Sequence, residues 1–562
     1  MNSIEHVIRP ARRMVNVISA FAVLILATGA GLAAQPDRLA KMPNAASWNH
    51  PSCPCPTTLR SGSAAEAGLV EAPLQKMDGT ISRVLVRRVA PGVVVLIVRR
   101  GTIAKWKAYG YAALYTNPNY DLMAHPVDMQ KNTIFDLASV TKLFTATAVM
   151  QLWDQGKFKL DDPVAKYLPK FGVNGKMDVT VRELLDHTSG FRGDPATPLY
   201  QVPGDRAARL RYVLSLPLEY PPNTHYVYSD TNFMTLGALI EHWSGEREDM
   251  YIRQHIAEPL HMSDTMYNPP ASLKQRIEAT EYQPWTNRGL LWGQVDDENA
   301  WALGGVAGHA GLFSSAHDLA VFGQMMLNDG TYDGQRILSQ RAVKLLLTNW
   351  DKEFPEDSTG LGWSIDRGYF MGALSGPDTL GHEGFTGTTI VLNKKQDIVA
   401  VLLMDRVHPT RNGASDVVAR RDVFTDLADA IPVAIPGGGD AWFSGYGDYL
   451  NRTLTAKVED GGKAELSFQT WYRTEPDHDY GTVEVSSDGV YWKPIAQITG
   501  SSAGWRTESL ALPANTNYIQ FRYRTDKQVN GRGWYLHKVE IKGNGRTLQP
   551  EFEKTDWLRR NY

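Results

Sequence analysis

The pattern of hydrophobic residues changes at one glycine-rich break, Gly437-Gly438-Gly439, and this change constrains the fold more than any other feature of the chain. From about residue 76 to 431, helical patterns alternate with strand patterns. From about residue 440 to 548, short alternating segments are separated by turns such as Ser487-Asp488-Gly489. We therefore expect an α+β domain followed by an all-β sandwich.

Two expected β-hairpins frame the first domain. Residues 93–98 are apolar and β-branched, and residues 105–109 return after a turn. Near the end of the domain, residues 388–392 and 398–404 form a second such pair. Helical patterns dominate between the hairpins, which predicts an antiparallel sheet with a helical region.

The first 34 residues have the three parts of a secretory signal peptide. Arg9, Arg12 and Arg13 precede an apolar run over residues 15–32, and the small residues Ala33 and Ala34 follow it. We expect cleavage and export of the mature protein to the periplasm or the medium. The alternative is an uncleaved anchor, for which this run is marginal in length.

Three further segments are expected to lie outside the folded domains. Residues 35–75, rich in Pro, Ala and Ser, and residues 432–439 are predicted linkers, and residues 549–562 a C-terminal tail. The two cysteines, Cys53 and Cys55, lie in the first linker. Their spacing strains a mutual disulfide, and a metal site would need more ligands, so we interpret them as thiols.

Charge and composition exclude several classes of function. The 58 Lys and Arg residues against 61 Asp and Glu residues give a net charge of −3, which does not indicate nucleic-acid binding. Hydrophobic residues make up 43% of the chain, an ordinary globular share. No His or carboxylate cluster has the spacing of a zinc peptidase, and we expect no metal and no other cofactor.

The chemistry is expected around Ser139 and Lys142. No charged residue occurs from 143 to 153, so the helix that carries Lys142 should be buried. Burial would lower the pKa of this lysine, and Ser139, three residues earlier, shares its face at a helix N-terminus. Together they form a candidate activated nucleophile. The alternative is an N-cap serine beside a lysine that reaches solvent.

Two motifs later in the chain accompany Ser139 and Lys142. Tyr228-Ser229-Asp230 follows some 90 residues on, and His382-Glu383-Gly384 precedes the expected strand at 388. In order and spacing, residues 75 to 430 resemble the serine β-lactamase and penicillin-binding-protein-like superfamily. The resemblance is to its branch of class C enzymes, D-aminopeptidases and esterases. Supporting phrases lie at residues 160–164, 184–190 and 304–312.

The resemblance implies a role for each motif residue. Ser139 would be the acyl-forming nucleophile, and Lys142 and Tyr228 would move its proton, with the acylation base left open between them. The backbone N–H groups of Ser139 and Phe385 would form the oxyanion hole. Gly384 would leave room for the substrate. The alternatives are a half-buried structural tyrosine at 228 and a structural histidine at 382.

Two residues depart from the family pattern. Asp230 replaces an asparagine; a carboxylate only accepts hydrogen bonds, and it would raise the pKa of Lys142. His382 replaces the lysine with which β-lactamases clamp a substrate carboxylate, and a neutral imidazole would bind it poorly. We expect Asp230 and His382, with Gly384 and Phe385, to line the substrate site, and we expect poor β-lactamase activity.

Other short motifs are predicted to have no catalytic role. Arg192-Gly193-Asp194 matches an adhesion tripeptide by letter only. His187 and His309 lie in Gly- and Ser-rich turns, where structural hydrogen bonding is the expected role.

The C-terminal region resembles, more loosely, the MAM-like jelly-roll domain of immune-inhibitor-A-type secreted peptidases. The matching phrases lie at residues 466–472, 479–486 and 521–523, and Gly533-Trp534-Tyr535 completes them. Relatives carry acidic residues soon after the Gly-Trp pair, whereas His537-Lys538 stands here, which argues against a calcium ion at that position. Its tryptophans are interpreted as core, and the alternative is an exposed subset that contacts glycan or protein.

The sequence thus predicts an exported serine hydrolase that forms an acyl-enzyme. Its substrate would be an ester, an amide or a D-amino-acid peptide, with peptidoglycan as one source. The alternative is a non-catalytic protein that recognises penicillin or the cell wall.

Overall fold

The computed structural model describes residues 58–458, 464–527 and 529–562. The expected signal peptide, most of the first linker and both cysteines lie outside the described residues. Within those ranges, no helix has the length and apolar character that crossing a membrane requires. All the described residues belong to one compact structural unit.

The helices of the described ranges precede the glycine-rich break. They are α1 (Glu71–Val86), α2 (Thr141–Asp154), α3 (Val181–Leu185), α4 (Arg206–Ser215), α5 (Asp230–Ser244), α6 (Glu248–Ile252), α7 (Glu298–Ala302), α8 (Ala316–Leu327), α9 (Gln340–Leu346), α10 (Gly368–Met371) and α11 (Val417–Ala430). Strands occur on both sides of the break. Before it lie β1 (Arg60–Ser61), β2 (Gly92–Arg99), β3 (Thr102–Tyr115), β4 (Leu122–Asp128), β5 (Ile134–Asp136), β6 (Met266–Tyr267), β7 (Ala279–Gln283), β8 (Gly289–Trp292), β9 (Leu312–Ser315), β10 (Thr331–Tyr332), β11 (Gln335–Arg336), β12 (Ser364–Ile365), β13 (Thr379–Glu383), β14 (Thr389–Asn393) and β15 (Ile398–Met404).

The main sheet of the first domain runs in the order β1-β3-β2-β15-β14-β13-β12, and β4 pairs with β3. Both expected hairpins, β2–β3 and β14–β15, are confirmed as antiparallel pairs. The first and last strands of the domain meet where β15 pairs with β2. The prediction of an α+β domain is therefore confirmed.

Alternate residues of β2 point into two different cores, because successive side chains of a strand face opposite sides of the sheet. Val94, Leu96 and Val98 pack with α2, α5 and α8 on one face. The intervening apolar residues pack with α1 and α11 on the other face. The sheet is thus covered by helices on both sides, which explains why β2 is apolar at almost every position.

The C-terminal region is all β, as expected. Its strands are β16 (Ala441–Phe443), β17 (Asn451–Lys457), β18 (Ala464–Arg473), β19 (Tyr480–Ser486), β20 (Lys493–Ile498), β21 (Arg506–Ala511), β22 (Tyr518–Arg524), β23 (Gly533–Gly543), β24 (Arg546–Leu548), β25 (Phe552–Thr555) and β26 (Leu558–Arg560). One antiparallel sheet runs β21-β18-β23-β16-β26, with β24 beside β23, and the other runs β20-β19-β22-β17-β25. Residues 549–562, expected as a tail, thus contribute a strand to each sheet.

The two sheets enclose a core that includes Phe468, Tyr523 and Trp534. Trp471 is also buried, so Trp471 and Trp534 are core residues as interpreted, whereas Trp492 and Trp505 are partly exposed. Trp471 packs with α11 in the core that lies behind the main sheet. The jelly-roll and MAM-like assignments remain predictions.

Candidate active site

Ser139 lies in a short 3-10 turn, residues 138–140, between β5 and α2. The turn begins with Ala138 in the left-handed region, at a φ of 44°. The Asp136 carboxylate accepts a hydrogen bond from the Ala138 N–H at 3.0 Å and holds this conformation. The nucleophile candidate is therefore placed on a backbone that local hydrogen bonding fixes.

Lys142 lies one turn farther on, in the first turn of α2, and its side chain is fully buried. Its ammonium group donates to Ser139 Oγ at 3.0 Å and to the Tyr228 hydroxyl at 2.6 Å. It also forms an ion pair with Asp230 Oδ1 at 2.6 Å. The structure thus brings the three predicted catalytic residues, Ser139, Lys142 and Tyr228, together with Asp230 around one nitrogen atom.

The charge of Asp230 decides the protonation of Lys142. Burial alone would lower the pKa of Lys142, but the Asp230 carboxylate and the contact with Tyr228 outweigh it and raise that pKa above its usual value. At neutral pH the lysine is an ammonium ion. Both effects were expected from the sequence, and in the structure the effect of Asp230 is the larger one.

Tyr228 presents part of its ring to the cleft, with 41% of the residue exposed, while its hydroxyl turns inward to Lys142. Burial raises the pKa of Tyr228 to about 12, although the charge of Lys142 opposes the rise. Tyr228 and Lys142 therefore form one coupled proton-holding pair beside Ser139.

His382 is buried on β13, with its ring centroid 6.0 Å from that of Tyr228. Its Nδ1 lies 2.8 Å from the Glu383 carbonyl oxygen, so Nδ1 carries the hydrogen and Nε2 is left as an acceptor. Burial, with the nearby charge of Lys142, lowers the pKa of His382 to about 3. The imidazole is neutral at any working pH, in line with the argument that it clamps a carboxylate poorly.

Gly384 is required by close packing, whereas the expected need to leave room for the substrate stays a prediction. A Cβ atom at this position would lie 2.3 Å from Thr388 Oγ1 and 2.4 Å from the Leu137 carbonyl oxygen. The strand end thus packs directly on the turn that holds the nucleophile, and it is this contact that excludes a side chain.

Further hydrogen bonds join the same two segments. The Thr386 hydroxyl donates to the Asp136 carbonyl at 2.8 Å, and the Thr388 hydroxyl donates to the Leu137 carbonyl at 2.9 Å. Phe385 directly precedes Thr386, lines the cleft and is 46% exposed. The two predicted oxyanion-hole residues, Ser139 and Phe385, therefore lie on backbone segments that are tied together.

Four acidic residues at the cleft, Asp194, Asp296, Asp297 and Glu298, were not among the predicted site residues. Asp297 pairs with His309 at 2.9 Å, and Glu298 pairs with Arg411 at 2.7 Å. Asp194, the last residue of the adhesion-like tripeptide, also lines the cleft. One signal was available, because His309, the partner of Asp297, lies in the segment 304–312 that carries part of the family resemblance. For Asp194 the sequence offers none.

The cleft has a volume of about 530 Å³. Its lining includes Ser139, Tyr228, Phe385 and the acidic residues Asp194, Asp230 and Asp297. Within the described ranges, the ligand atoms of Asp230, Asp297 and His309 approach one another within 4.8 Å, as do those of Glu475, Asp479 and Asp526 in the sandwich. In the first group, Lys142 and His309 already balance the two carboxylates, so it is not a ready metal centre.

Comparison with known proteins identifies the family that the first domain resembles. Residues 75–424 match the family model described as Beta-lactamase. The chain is 34% identical over 380 residues to a protein of Salmonella typhimurium (strain LT2) named "Putative D-alanyl-D-alanine carboxypeptidase", covering 62% of this chain and 86% of the relative. A protein of the same name from Salmonella paratyphi B matches with the same identity and coverage.

A solved structure shows the same fold. EstCE1, described as a hydrolase with promiscuous acyltransferase activity, superposes with a TM-score of 0.51 at 21% identity, over 63% of this chain and 99% of its own. The C-terminal sandwich lies beyond the residues that the family model matches.

Proposed function

Because the chain belongs to the β-lactamase family, we propose that it is an exported serine hydrolase that forms an acyl-enzyme at Ser139. The observation that carries the proposal is the position of Lys142 Nζ, which contacts both Ser139 Oγ and the Tyr228 hydroxyl. A nucleophile within hydrogen-bonding distance of a proton-holding pair is the arrangement that acyl transfer needs.

The proton path follows from those contacts. Since Lys142 is an ammonium ion and Tyr228 is a neutral phenol at rest, the pair first loses one proton to solvent. As Ser139 Oγ attacks the substrate carbonyl, its proton passes to the pair, and the pair then protonates the leaving group. A water molecule then attacks the ester of the acyl-enzyme at Ser139 and gives a proton to the Lys142–Tyr228 pair. The pair returns this proton to Ser139 Oγ as the acid product departs.

Negative charge develops on the substrate carbonyl oxygen both when Ser139 is acylated and when water hydrolyses the acyl-enzyme. The N–H groups of Ser139 and Phe385 would donate to this oxygen. Their relative position is held by the hydrogen bonds of Thr386 and Thr388 to the backbone before Ser139. Preorganised donors of this kind need no rearrangement when the charge appears.

The substrate is proposed to be an ester, an amide or a D-amino-acid peptide. The name of the Salmonella relatives supports a D-peptide, and peptidoglycan is the proposed source. The neutral His382 and the acidic Asp230 disfavour β-lactams, whose carboxylate would find no cationic partner there.

A labelling experiment tests the proposal. A fluorophosphonate probe should modify the wild-type protein and leave Ser139→Ala unmodified. Lys142→Ala should lower ester turnover by several orders of magnitude, because the serine proton then has no acceptor. Equal labelling of Ser139→Ala would refute the assignment of the nucleophile.

The protonated state of Lys142 favours one alternative, a protein that binds penicillin or cell-wall fragments without turning them over. In that case Ser139 would be labelled stoichiometrically, while a panel of p-nitrophenyl esters, nitrocefin and D-alanyl peptides would show no turnover. Turnover of any member of the panel that is lost in Ser139→Ala would exclude this alternative.

A further inference from the structure

His187 binds the backbone on both sides of Tyr228. Its carbonyl oxygen accepts a hydrogen bond from the Val227 N–H at 3.0 Å, and its Nδ1 atom accepts one from the Ser229 N–H at 3.0 Å. The peptide groups before and after the tyrosine are therefore held by a single residue. This arrangement fixes the position of the Tyr228 backbone relative to His187.

The imidazole ring of His187 also supports the tyrosine ring. Its centroid lies 4.8 Å from that of Tyr228, with 37° between the ring planes, and 5.2 Å from that of Phe233 in α5. His187 is 2% exposed, so its ring is packed between these two neighbours. Tyr228 thus leans on a buried surface, while its hydroxyl reaches Lys142 Nζ at 2.6 Å.

The hydrogen-bonding partners determine the tautomer of His187. A backbone N–H only donates, so Nδ1 is the acceptor and the neutral ring carries its hydrogen on Nε2. The Asn232 side-chain nitrogen lies 3.3 Å from the same Nδ1 atom, and Asn232 Oδ1 accepts the Ser189 hydroxyl at 2.6 Å, which orients the amide. Burial and the charge of Lys142 keep the pKa of His187 well below its usual value, so Nδ1 remains an acceptor at neutral pH.

The backbone of His187 adopts a conformation that is uncommon for a residue other than glycine. Its φ is 65°, in the left-handed region. The buried Asp186 carboxylate stabilises this turn, because it accepts hydrogen bonds from the Thr188 N–H at 3.2 Å and from the Thr188 hydroxyl at 2.6 Å. The turn directs both acceptors of His187 to the segment that carries Tyr228.

We infer that His187 is a positioning residue for Tyr228, which holds the tyrosine hydroxyl where the Lys142–Tyr228 pair can protonate the leaving group. This inference rests on the proposed function and adds a residue that acts through another. His187 is not among the residues that line the cleft, so its effect reaches the substrate only through Tyr228.

This role predicts that a change at His187 affects substrates according to their leaving group. p-Nitrophenolate departs with little help, whereas phenolate is more basic and depends more on a proton from the enzyme. A displaced Tyr228 hydroxyl should therefore slow the acylation of Ser139 by phenyl acetate more than by p-nitrophenyl acetate. A purely structural loss of folded protein would lower both rates by the same factor and would leave their ratio unchanged.

The test measures kcat/KM for p-nitrophenyl acetate and for phenyl acetate, since this quantity reports on the formation of the acyl-enzyme. In His187→Ala, the ratio of the first value to the second should rise by about tenfold, with little change in either KM. His187→Asn keeps an oxygen that can accept from the Ser229 N–H and a residue type that tolerates a positive φ. Its ratio should lie close to that of the wild type.

The matched control is His225→Asn, the same exchange at an exposed histidine three residues before Tyr228, which should keep the wild-type ratio. If His187→Ala does not fold, His187→Gly gives the same comparison, because glycine adopts a positive φ without strain. The inference is overturned if the variant without the side chain keeps the wild-type ratio, or if His225→Asn raises the ratio equally. A ratio in His187→Asn as high as in His187→Ala would overturn the role given to Nδ1.

The two levels of the argument fail in different ways. If the fluorophosphonate labels Ser139 and the wild-type protein hydrolyses both esters, an unchanged ratio removes this inference alone. If Ser139 is not labelled and neither ester is hydrolysed, the proposed function itself fails, and the role of His187 fails with it.

Discussion

Replacing Asp230 by asparagine should shift the pH dependence of the enzyme toward acid. The Asp230 carboxylate lies 2.6 Å from Lys142 Nζ and is a main reason why the pKa of that lysine is raised. An asparagine amide at this position would keep an oxygen that accepts the lysine hydrogen bond but would carry no charge. The form of the Lys142–Tyr228 pair that accepts the serine proton should then appear at lower pH.

The magnitude follows from Coulomb's law. Two unit charges about 4 Å apart interact by about 4 kcal/mol at an effective dielectric constant of about 20. One pH unit corresponds to about 1.4 kcal/mol, so an interaction of this size corresponds to a fall of about three pH units in the pKa of Lys142 before screening by water. Because the Asp230 side chain is 17% exposed and water partly screens it, we expect a change of about one to two pH units.

The assay is the pH profile of kcat/KM for p-nitrophenyl acetate, with Ser139→Ala as the blank for spontaneous hydrolysis. In the wild-type protein the rate should still rise with pH above 8, and in Asp230→Asn the rise should begin at least one pH unit lower. The gain at pH 7 should be about three- to tenfold, since a weaker base is more available but transfers the proton less readily. The control is Glu219→Gln, which removes one charge from an exposed position outside the cleft and should keep the wild-type profile. An unmoved profile in Asp230→Asn, or one displaced toward alkaline pH, would refute the role given to Asp230.

Three further predictions use other parts of the site. Ser139→Ala should abolish covalent labelling and ester hydrolysis while leaving the melting temperature close to that of the wild type; a variant that keeps near-wild-type turnover would contradict the site. The ion pair with Asp297 raises the pKa of His309 and lowers that of Asp297 to about 2, so its stabilisation is complete near pH 5 and declines as the pH rises through the folded-state pKa of His309. The loss of melting temperature in Asp297→Asn should therefore be larger at pH 5 than at pH 9, and the opposite order would contradict the pairing. The double variant His382→Lys with Asp230→Asn should raise the ratio of nitrocefin to p-nitrophenyl acetate turnover, because it adds a cation and removes an anion; a lower ratio would refute the clamp argument.

The sequence was most informative for features that depend on residues close together along the chain. The uncharged run from 143 to 153 predicted a buried α2, and the structure buries every residue from Thr141 to Leu152. Both hairpins also follow from short-range alternation, because side-chain direction in a strand repeats every two residues. These features need no knowledge of what the segment packs against.

Contacts between distant segments were not predictable in this way. Tyr228 lies 86 residues from Lys142, and only the family resemblance brought the two together before the structure did. The pairing of Asp297 with His309 and the position of Asp194 had no local signature, because a carboxylate in a loop has the same sequence pattern whether it faces solvent or a cleft. The protonation of Lys142 likewise depends on two opposing effects whose balance requires the distance to Asp230.

The C-terminal sandwich shares an apolar core with the α+β domain, so its place in the protein is more than that of an appended module. Phe443, Trp471 and Tyr535 pack in the same core as Phe424 and Leu427 of α11. At the edge of this core, the buried Arg532 guanidinium forms an ion pair with Asp429 at 3.0 Å, and Arg560 pairs with the same carboxylate at 2.6 Å.

This junction lies on the face of the main sheet opposite α2, the helix that carries Lys142. Without the sandwich, Asp429 would lose both cations and the apolar surface of α11 would be open to water. The sandwich therefore completes the layer that supports the strands of the sheet from behind. The strand end that carries His382 and the Phe385 amide depends on that sheet for its position.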